Sequence, residues 1–392
     1  MPFDRFFEVI NSNLFKDLSK EDKNTLFNLI LQNRNRLKSS NGNKIPVTFI
    51  ANEGLFAKLS LLLPALSAST NIHVPMILGL DQPERKILLN HLCMLKKFRP
   101  APYSEKIETR LHSCKSSYIS PPEKFEQMIK KIKFKPRNAD KNFIASTVVN
   151  LLLCHPQAAF FLLSFGEGLS LKKYEHCHSL AVKLMEICKL LRVKCAYMIT
   201  YIDQPLGSAL GSRLVLKEVF ATADGKGPHD LLKLGIEIGA ELMTITKIFH
   251  DKNRAKCHIK QQIISGRTLD ELKRCWGLPK SAILLTDFKA TLNTSPIRSI
   301  HLSSQVTGFI QPFPVAKIIK LQELFFKRKD ILGMFFNKKT GEKVTKKDTL
   351  ATVFVSKESD VNYILEKISP LFSIKKHINN FCPLIIERGS SN

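Results

Sequence analysis

The sequence predicts an α/β fold: a mostly parallel sheet lobe, a small helical lobe and a C-terminal α+β domain. Three observations carry this. From residue 45 onward, apolar or β-branched runs of strand length alternate with amphipathic helical runs, the pattern of a parallel sheet covered on both faces. After about residue 300 the texture changes to short strands around glycine-containing turns. The 392 residues, 44% hydrophobic and 24% charged, supply apolar material for two or three cores and are too mixed for a disordered chain. The expected partition is a helical lobe from 1–44 and 121–156, an α/β lobe from 45–120 and 157–299, and a C-terminal domain from 300–392.

Residues 1–44 show helical spacing in Phe3, Phe6, Phe7, Ile10 and Leu14, and again in Leu26, Phe27, Ile30 and Leu31, which predicts two short helices. "SSNGNK" (Ser39 to Lys44) breaks the pattern, and "IPVTFIA" follows as a buried strand. "LFAKLSLLLPALSAS" reads as helix, "HVPMILG" as strand and "ERKILLNHLCMLKKF" as helix, and "PPEKFEQMIKKI" opens a helix after a proline pair. "AAFFLLSFG" is a strand, "KYEHCHSLAVKLMEICKLLRV" a long amphipathic helix and "KCAYMITYI" a further strand. That strand runs into the glycine-spaced turn of "DQPLGSALGS" and then a helix. "TGEKVTKKDTLATVFV" has the look of a hairpin-rich small domain, and "ESDVNYILEKISPLF" closes it as a helix.

The net charge is +26, from 60 Lys+Arg against 34 Asp+Glu. Such a field attracts phosphate-bearing ligands, nucleic acid, acidic proteins or anionic membrane, and says nothing about fold. Basic residues concentrate in "KIKFKPRNADK", with Lys131, Lys133, Lys135, Arg137 and Lys141, and again around Lys338, Lys339, Lys346 and Lys347. A polyanion or acidic-protein surface and a solvated face are both open readings. Nine cysteines without a C-x-x-C pair point to free thiols in a reducing compartment, not to a disulfide framework. No apolar run reaches the roughly eighteen residues of a membrane span, and the start lacks a signal-peptide pattern. A cytoplasmic location is expected.

"DQPLGSALGSRLVLKEVFATADGKGPHDLLKLGIEIGAELM", Asp203 to Met243, resembles the thymidine and pyrimidine-nucleoside phosphorylases, whose pattern is D-Q-P-L-G-x-A-x-G-x-x-L-x-V-K-E followed by G-x-G-P-x-D-L. The C-terminal "KTGEKVTKKDTLATVF" looks like that family's final turn, and "KLSLLLPALSASTNIHVPMILG" like its helix and strand after the phosphate loop. With gaps, the resemblance covers roughly residues 45–380. It implies a helical lobe, an α/β lobe with the active site between them and a C-terminal domain. It also implies reversible phosphorolysis of a pyrimidine nucleoside to base and pentose 1-phosphate, and a homodimer.

That chemistry needs a cradle of N–H groups, hydroxyls and a lysine for phosphate, plus cationic groups for the leaving base. Here the resemblance breaks. The family cradle K-x-S-T-G-G-x-G-D falls on "FIANEGLFA": the Lys on Phe49, the Ser on Ala51, the Thr on Asn52, the paired glycines on Glu53 and Gly54, the third on Phe56 and the Asp on Ala57. "LDQPERKILLNH" stands where the family has H-T-G-G-T. The base-holding Arg has no aligned counterpart, and the family's Ser and Lys fall on Thr147 and Leu151. Each lost donor removes about 2.7–4 kcal/mol of transition-state stabilisation. Ordinary phosphorolysis is expected to be weak or lost.

Other readings are narrower. Glu53 and Glu167 form a possible acid/base pair if both loops face one cleft. The resemblance implies a structural monovalent cation on carbonyls of Leu206 and Ala209 and on Glu218, with its remaining ligands in the altered loop; no other cofactor is expected. His176 and His178 point about 200° apart on a helix, so a solvated edge is favoured over a transition-metal site. Two functions follow: an enzyme of the phosphorylase kind with a rebuilt site, or an inactive derivative that binds a protein or polyanion through its basic surface.

Overall fold

The computed structural model describes residues 45–52, 57–68, 72–73, 76–77, 118–119, 156–275, 297–328, 330–356, 361–378 and 382–391, with scattered helical positions between 20 and 28 and between 143 and 152. Most of the expected helical lobe lies outside them, as do the helices expected from "ERKILLNHLCMLKKF" and "PPEKFEQMIKKI".

In chain order, β1 (Ile45–Ala51) leads to α1 (Ala57–Ala68), then to the short strands β2 (Ile72–His73), β3 (Met76–Ile77) and β4 (Tyr118–Ile119). β5 (Ala158–Phe165), α2 (Tyr174–Leu190) and β6 (Lys194–Tyr201) form a strand–helix–strand unit. β7 (Ala209–Leu210) precedes four helices: α3 (Ser212–Ala223), α4 (His229–Ile245), α5 (Lys252–Ile264) and α6 (Arg267–Cys275). β8 (Ile297–Ser303), β9 (Gly308–Ile310), α7 (Val315–Lys327), β10 (Ile331–Phe336), β11 (Lys343–Val344) and β12 (Thr349–Ser356) follow. α8 (Val361–Ile368), β13 (Ile374–Lys375) and β14 (Ile385–Ser390) complete the chain.

The large sheet has the order β14-β6-β5-β1-β3-β4, with β2 also on β1. Every pairing in it is parallel except the antiparallel edge pair β14–β6. Apolar residues on both faces of a strand require cover on both faces. Alternate side chains divide accordingly: Phe49, Phe160, Leu162, Ala196 and Met198 enter one core, while Ile50, Phe161, Leu163, Cys195 and Ile199 enter the other. The first core is closed by α1 and α4, the second by α2 and the helical positions Ile144, Val148, Leu151 and Leu152. α2 buries Cys177, Leu180, Ala181, Leu184 and Cys188, one apolar stripe at helical spacing.

The strands expected at "IPVTFIA", "AAFFLLSFG" and "KCAYMITYI" are β1, β5 and β6, whereas "HVPMILG" contributes only the last residue of β2 and the two-residue β3. After residue 297 a four-stranded antiparallel sheet, β7-β10-β12-β8, and a three-stranded one, β11-β9-β13, form; the two strands of "TGEKVTKKDTLATVFV" do not pair with each other, since β11 joins β9 and β12 joins β10 and β8. The small sheet thus borrows β7 from the glycine-rich turn. In return β14 joins the large sheet. Its Glu387 accepts hydrogen bonds from Tyr174 Oη and Tyr197 Oη, each at 2.6 Å, and lies 3.0 Å from His178 Nδ1. No helix among the described residues is long and apolar enough to cross a membrane.

Candidate functional site

Parallel strands of an α/β sheet deliver their following loops to one edge, where ligand sites of such folds lie. β1 delivers Asn52 there, β5 delivers Gly166 and Glu167, and β6 delivers Ile202 and Asp203. Asn52 is 6% exposed. Its Nδ2 donates to Ser164 O at 2.9 Å and its Oδ1 accepts from Ser164 N at 2.8 Å, while its own N–H donates to Leu162 O at 3.2 Å. The side chain thereby extends the β1–β5 ladder by one rung after the backbone diverges. A phosphate ligand at this position would need donors that Asn52 has already committed to the strand.

The neighbouring positions are equally structural. Phe49 is buried and stacked on Phe160, with ring centroids 6.2 Å apart, and Ala51 is buried within β1. Thr147 is fully buried, with its hydroxyl lacking a hydrogen-bond partner among the described residues, and Leu151 packs in the second core. Glu167 is exposed. Glu53, Gly54 and Phe56 lie outside the described residues, so the expected Glu53–Glu167 pair is not placed. Asp203 is buried, and its Oδ2 has no hydrogen-bond partner among the described residues. Burial pushes this carboxyl above its ordinary value, against the pull of its own N–H and of Lys339.

The most developed polar cluster surrounds the turn from Pro205 to Ala209. Lys58, on α1, sends its Nζ to Leu206 O at 2.7 Å and to Glu218 Oε2 at 2.5 Å. The other carboxylate oxygen, Glu218 Oε1, accepts from Ser208 N at 2.6 Å and Ala209 N at 2.9 Å. From the segment after β10, Lys339 Nζ reaches Pro205 O at 3.0 Å, Gly207 O at 2.5 Å and Asp230 Oδ2 at 2.7 Å. Asp230 Oδ2 also accepts from Gly207 N at 3.1 Å. Gly207 sits at φ 68°, and a Cβ there would lie 2.4 Å from Glu218 Oε2 and 2.9 Å from Lys58 Nζ. Only glycine lets the turn approach so closely with that backbone.

Electrostatics follow from this geometry. The Lys58 and Glu218 side chains are 6% and 3% exposed. Burial pulls the Lys58 ammonium below the ordinary lysine range, opposed by the charge and hydrogen bond of Glu218. Burial also disfavours ionisation of Asp230, but the charge and hydrogen bond of Lys339, with the N–H groups of Leu231 and Gly207, outweigh it and hold the carboxyl below its ordinary value. Removing one member of the buried Lys58–Glu218 pair costs about 3–5 kcal/mol, because the other charge is left uncompensated.

The residues implied for a monovalent cation are thus brought together, but they do not fit an added ion. Leu206 O and Glu218 already hold an ammonium, and Ala209 turns its N–H toward the carboxylate. By sequence, Lys58 is one residue of an apolar helix and Lys339 one of a run of surface cations. A lone lysine in "AKLSLLLPALSA" was the available signal. Lys338 pairs with Asp348 at 3.7 Å, while Lys346 and Lys347 are exposed. Lys131, Lys133, Lys135, Arg137 and Lys141 lie outside the described residues. His176 is exposed, and among the described residues no group of three His, Cys, Asp or Glu could hold a metal.

No family model matches the chain. Its sequence is 25% identical over 244 residues to the pyrimidine-nucleoside phosphorylase of Staphylococcus aureus strain USA300, covering 60% of this chain and 56% of that protein. The phosphorylases of strains NCTC 8325 and COL match with the same figures. The match therefore spans only a little over half the length of these curated relatives. At that distance the chain is similar to pyrimidine-nucleoside phosphorylases, on an α/β frame with a mixed sheet.

Proposed function

We propose that this chain is a divergent pyrimidine-nucleoside phosphorylase-like protein in which ordinary phosphorolysis is weak or lost. The observation that carries the reading is Asn52, at the position the resemblance gives to a phosphate-binding threonine: both ends of its amide are bound to the Ser164 backbone. Phe49 and Leu151, at positions given to lysines, are apolar and buried, so they supply neither a donor for phosphate nor a cation for the departing base. Phosphate and a pyrimidine nucleoside are the ligands to test. The decisive assay follows phosphate-dependent release of uracil from uridine and thymine from thymidine, beside calorimetric titration with phosphate. Release below a thousandth of the rate of the S. aureus enzyme run in parallel, without phosphate binding, is the expected result. A rate within tenfold of that enzyme overturns the reading.

A further inference from the structure

We propose that Lys58 is a tethered replacement for a bound alkali cation: its ammonium fills the seat between the Leu206 carbonyl and the Glu218 carboxylate, and no free ion binds there. The seat is one an alkali ion would suit, a backbone carbonyl and a carboxylate oxygen converging at 2.7 and 2.5 Å on one point. An ammonium and a potassium ion are both compact single positive charges that take oxygen partners. The difference is covalent attachment, because the ammonium arrives on α1 and so ties that helix to the turn and to α3.

Three further observations close the seat to a second cation. Glu218 has no oxygen to spare, since Oε1 accepts two backbone N–H groups and Oε2 meets Lys58. The adjoining carbonyls, of Pro205 and Gly207, are held by the Lys339 ammonium. The charges also balance, two ammoniums against the carboxylates of Glu218 and Asp230, so an extra ion would leave an uncompensated buried charge. Holding the turn is then independent of the salt composition around the protein. The inference stands whether or not the chain retains phosphorolysis.

The test is thermal unfolding of the full chain in choline chloride, NaCl or KCl at equal ionic strength, for the wild type, Lys58→Ala and Lys58→Met. The wild-type Tm is expected to be the same in all three salts. Lys58→Ala opens a seat lined by Glu218 and Leu206 O; its Tm should fall in choline and recover by about 2–5 °C with saturable dependence on KCl. Lys58→Met fills that space with an uncharged chain and should fall without recovery. A saturable rise of the wild-type Tm with K+ overturns the proposal, as does a Lys58→Ala protein indifferent to every small cation. Should the variants not fold, thallium-205 NMR of the wild type decides: no bound Tl+ resonance supports the tethered cation, and a bound, K+-displaceable resonance overturns it.

Discussion

Lys339 Nζ lies 2.7 Å from Asp230 Oδ2, and this pair fastens the segment after β10 to the start of α4 across the glycine-rich turn. The Asp230 carboxyl titrates below its ordinary value, so its contribution is fully present above about pH 4, the unfolded carboxyl range, and is lost as pH falls through the folded value. Asp230→Asn should lower stability at neutral pH by about 1.5–3 kcal/mol and flatten the acid limb of a Tm-against-pH curve. An unchanged acid limb would show that the pair contributes nothing to the pH dependence.

Asn52→Ala orphans the buried N–H and C=O of Ser164. The expected cost is about 2–4 kcal/mol in urea unfolding, with an unchanged m-value. Asn52→Thr restores the residue type of the resemblance but not the two-ended amide, so it should be destabilised too and gain no phosphate binding. Wild-type stability in either variant removes the bracket as an explanation.

Gly207→Ala places a methyl against the Lys58–Glu218 pair on a left-handed backbone, and its cost should reach at least about 3 kcal/mol. Gly225 is the control. It has φ +77°, yet a Cβ there meets only Ile263 Cγ2 at 3.1 Å, so Gly225→Ala should cost about 1–2 kcal/mol from the backbone alone. Equal losses in the two variants, read from the same urea curves, would show that crowding at the turn is immaterial.

Burial, followed by its hydrogen bond to Glu387, pushes the Tyr197 hydroxyl up to about 12. A raised value means that the stabilisation is complete below about pH 10, where an unfolded tyrosine ionises, and is lost as pH rises through about 12. The tyrosinate absorbance of wild type minus Tyr197→Phe isolates this titration. Glu387→Ala should shift the midpoint down and speed amide exchange along β14, since it removes the acceptor of both Tyr174 and Tyr197. A midpoint near 10 in the wild type contradicts the pairing.

The sequence by itself determined β1, α1 and the strand–helix–strand unit β5–α2–β6, because period-two and period-3.6 burial are written locally in residue type. It also determined the position of the glycine-rich turn, since Gly207 and Gly211 mark backbone that other residues rarely adopt. Tertiary structure alone decided what closes that turn. Lys58 stands 160 residues from Glu218, and Lys339 stands 109 from Asp230; no local pattern reports pairings over such separations. The same holds for β14, a segment for which the sequence offered no partner and which pairs with β6, and for Asn52, whose amide meets the Ser164 backbone 112 residues away. A charged side chain carries the same letter on a surface as in a core. Only the fold determines whether it meets water or a carboxylate, and burial then turns a surface lysine into a structural cation.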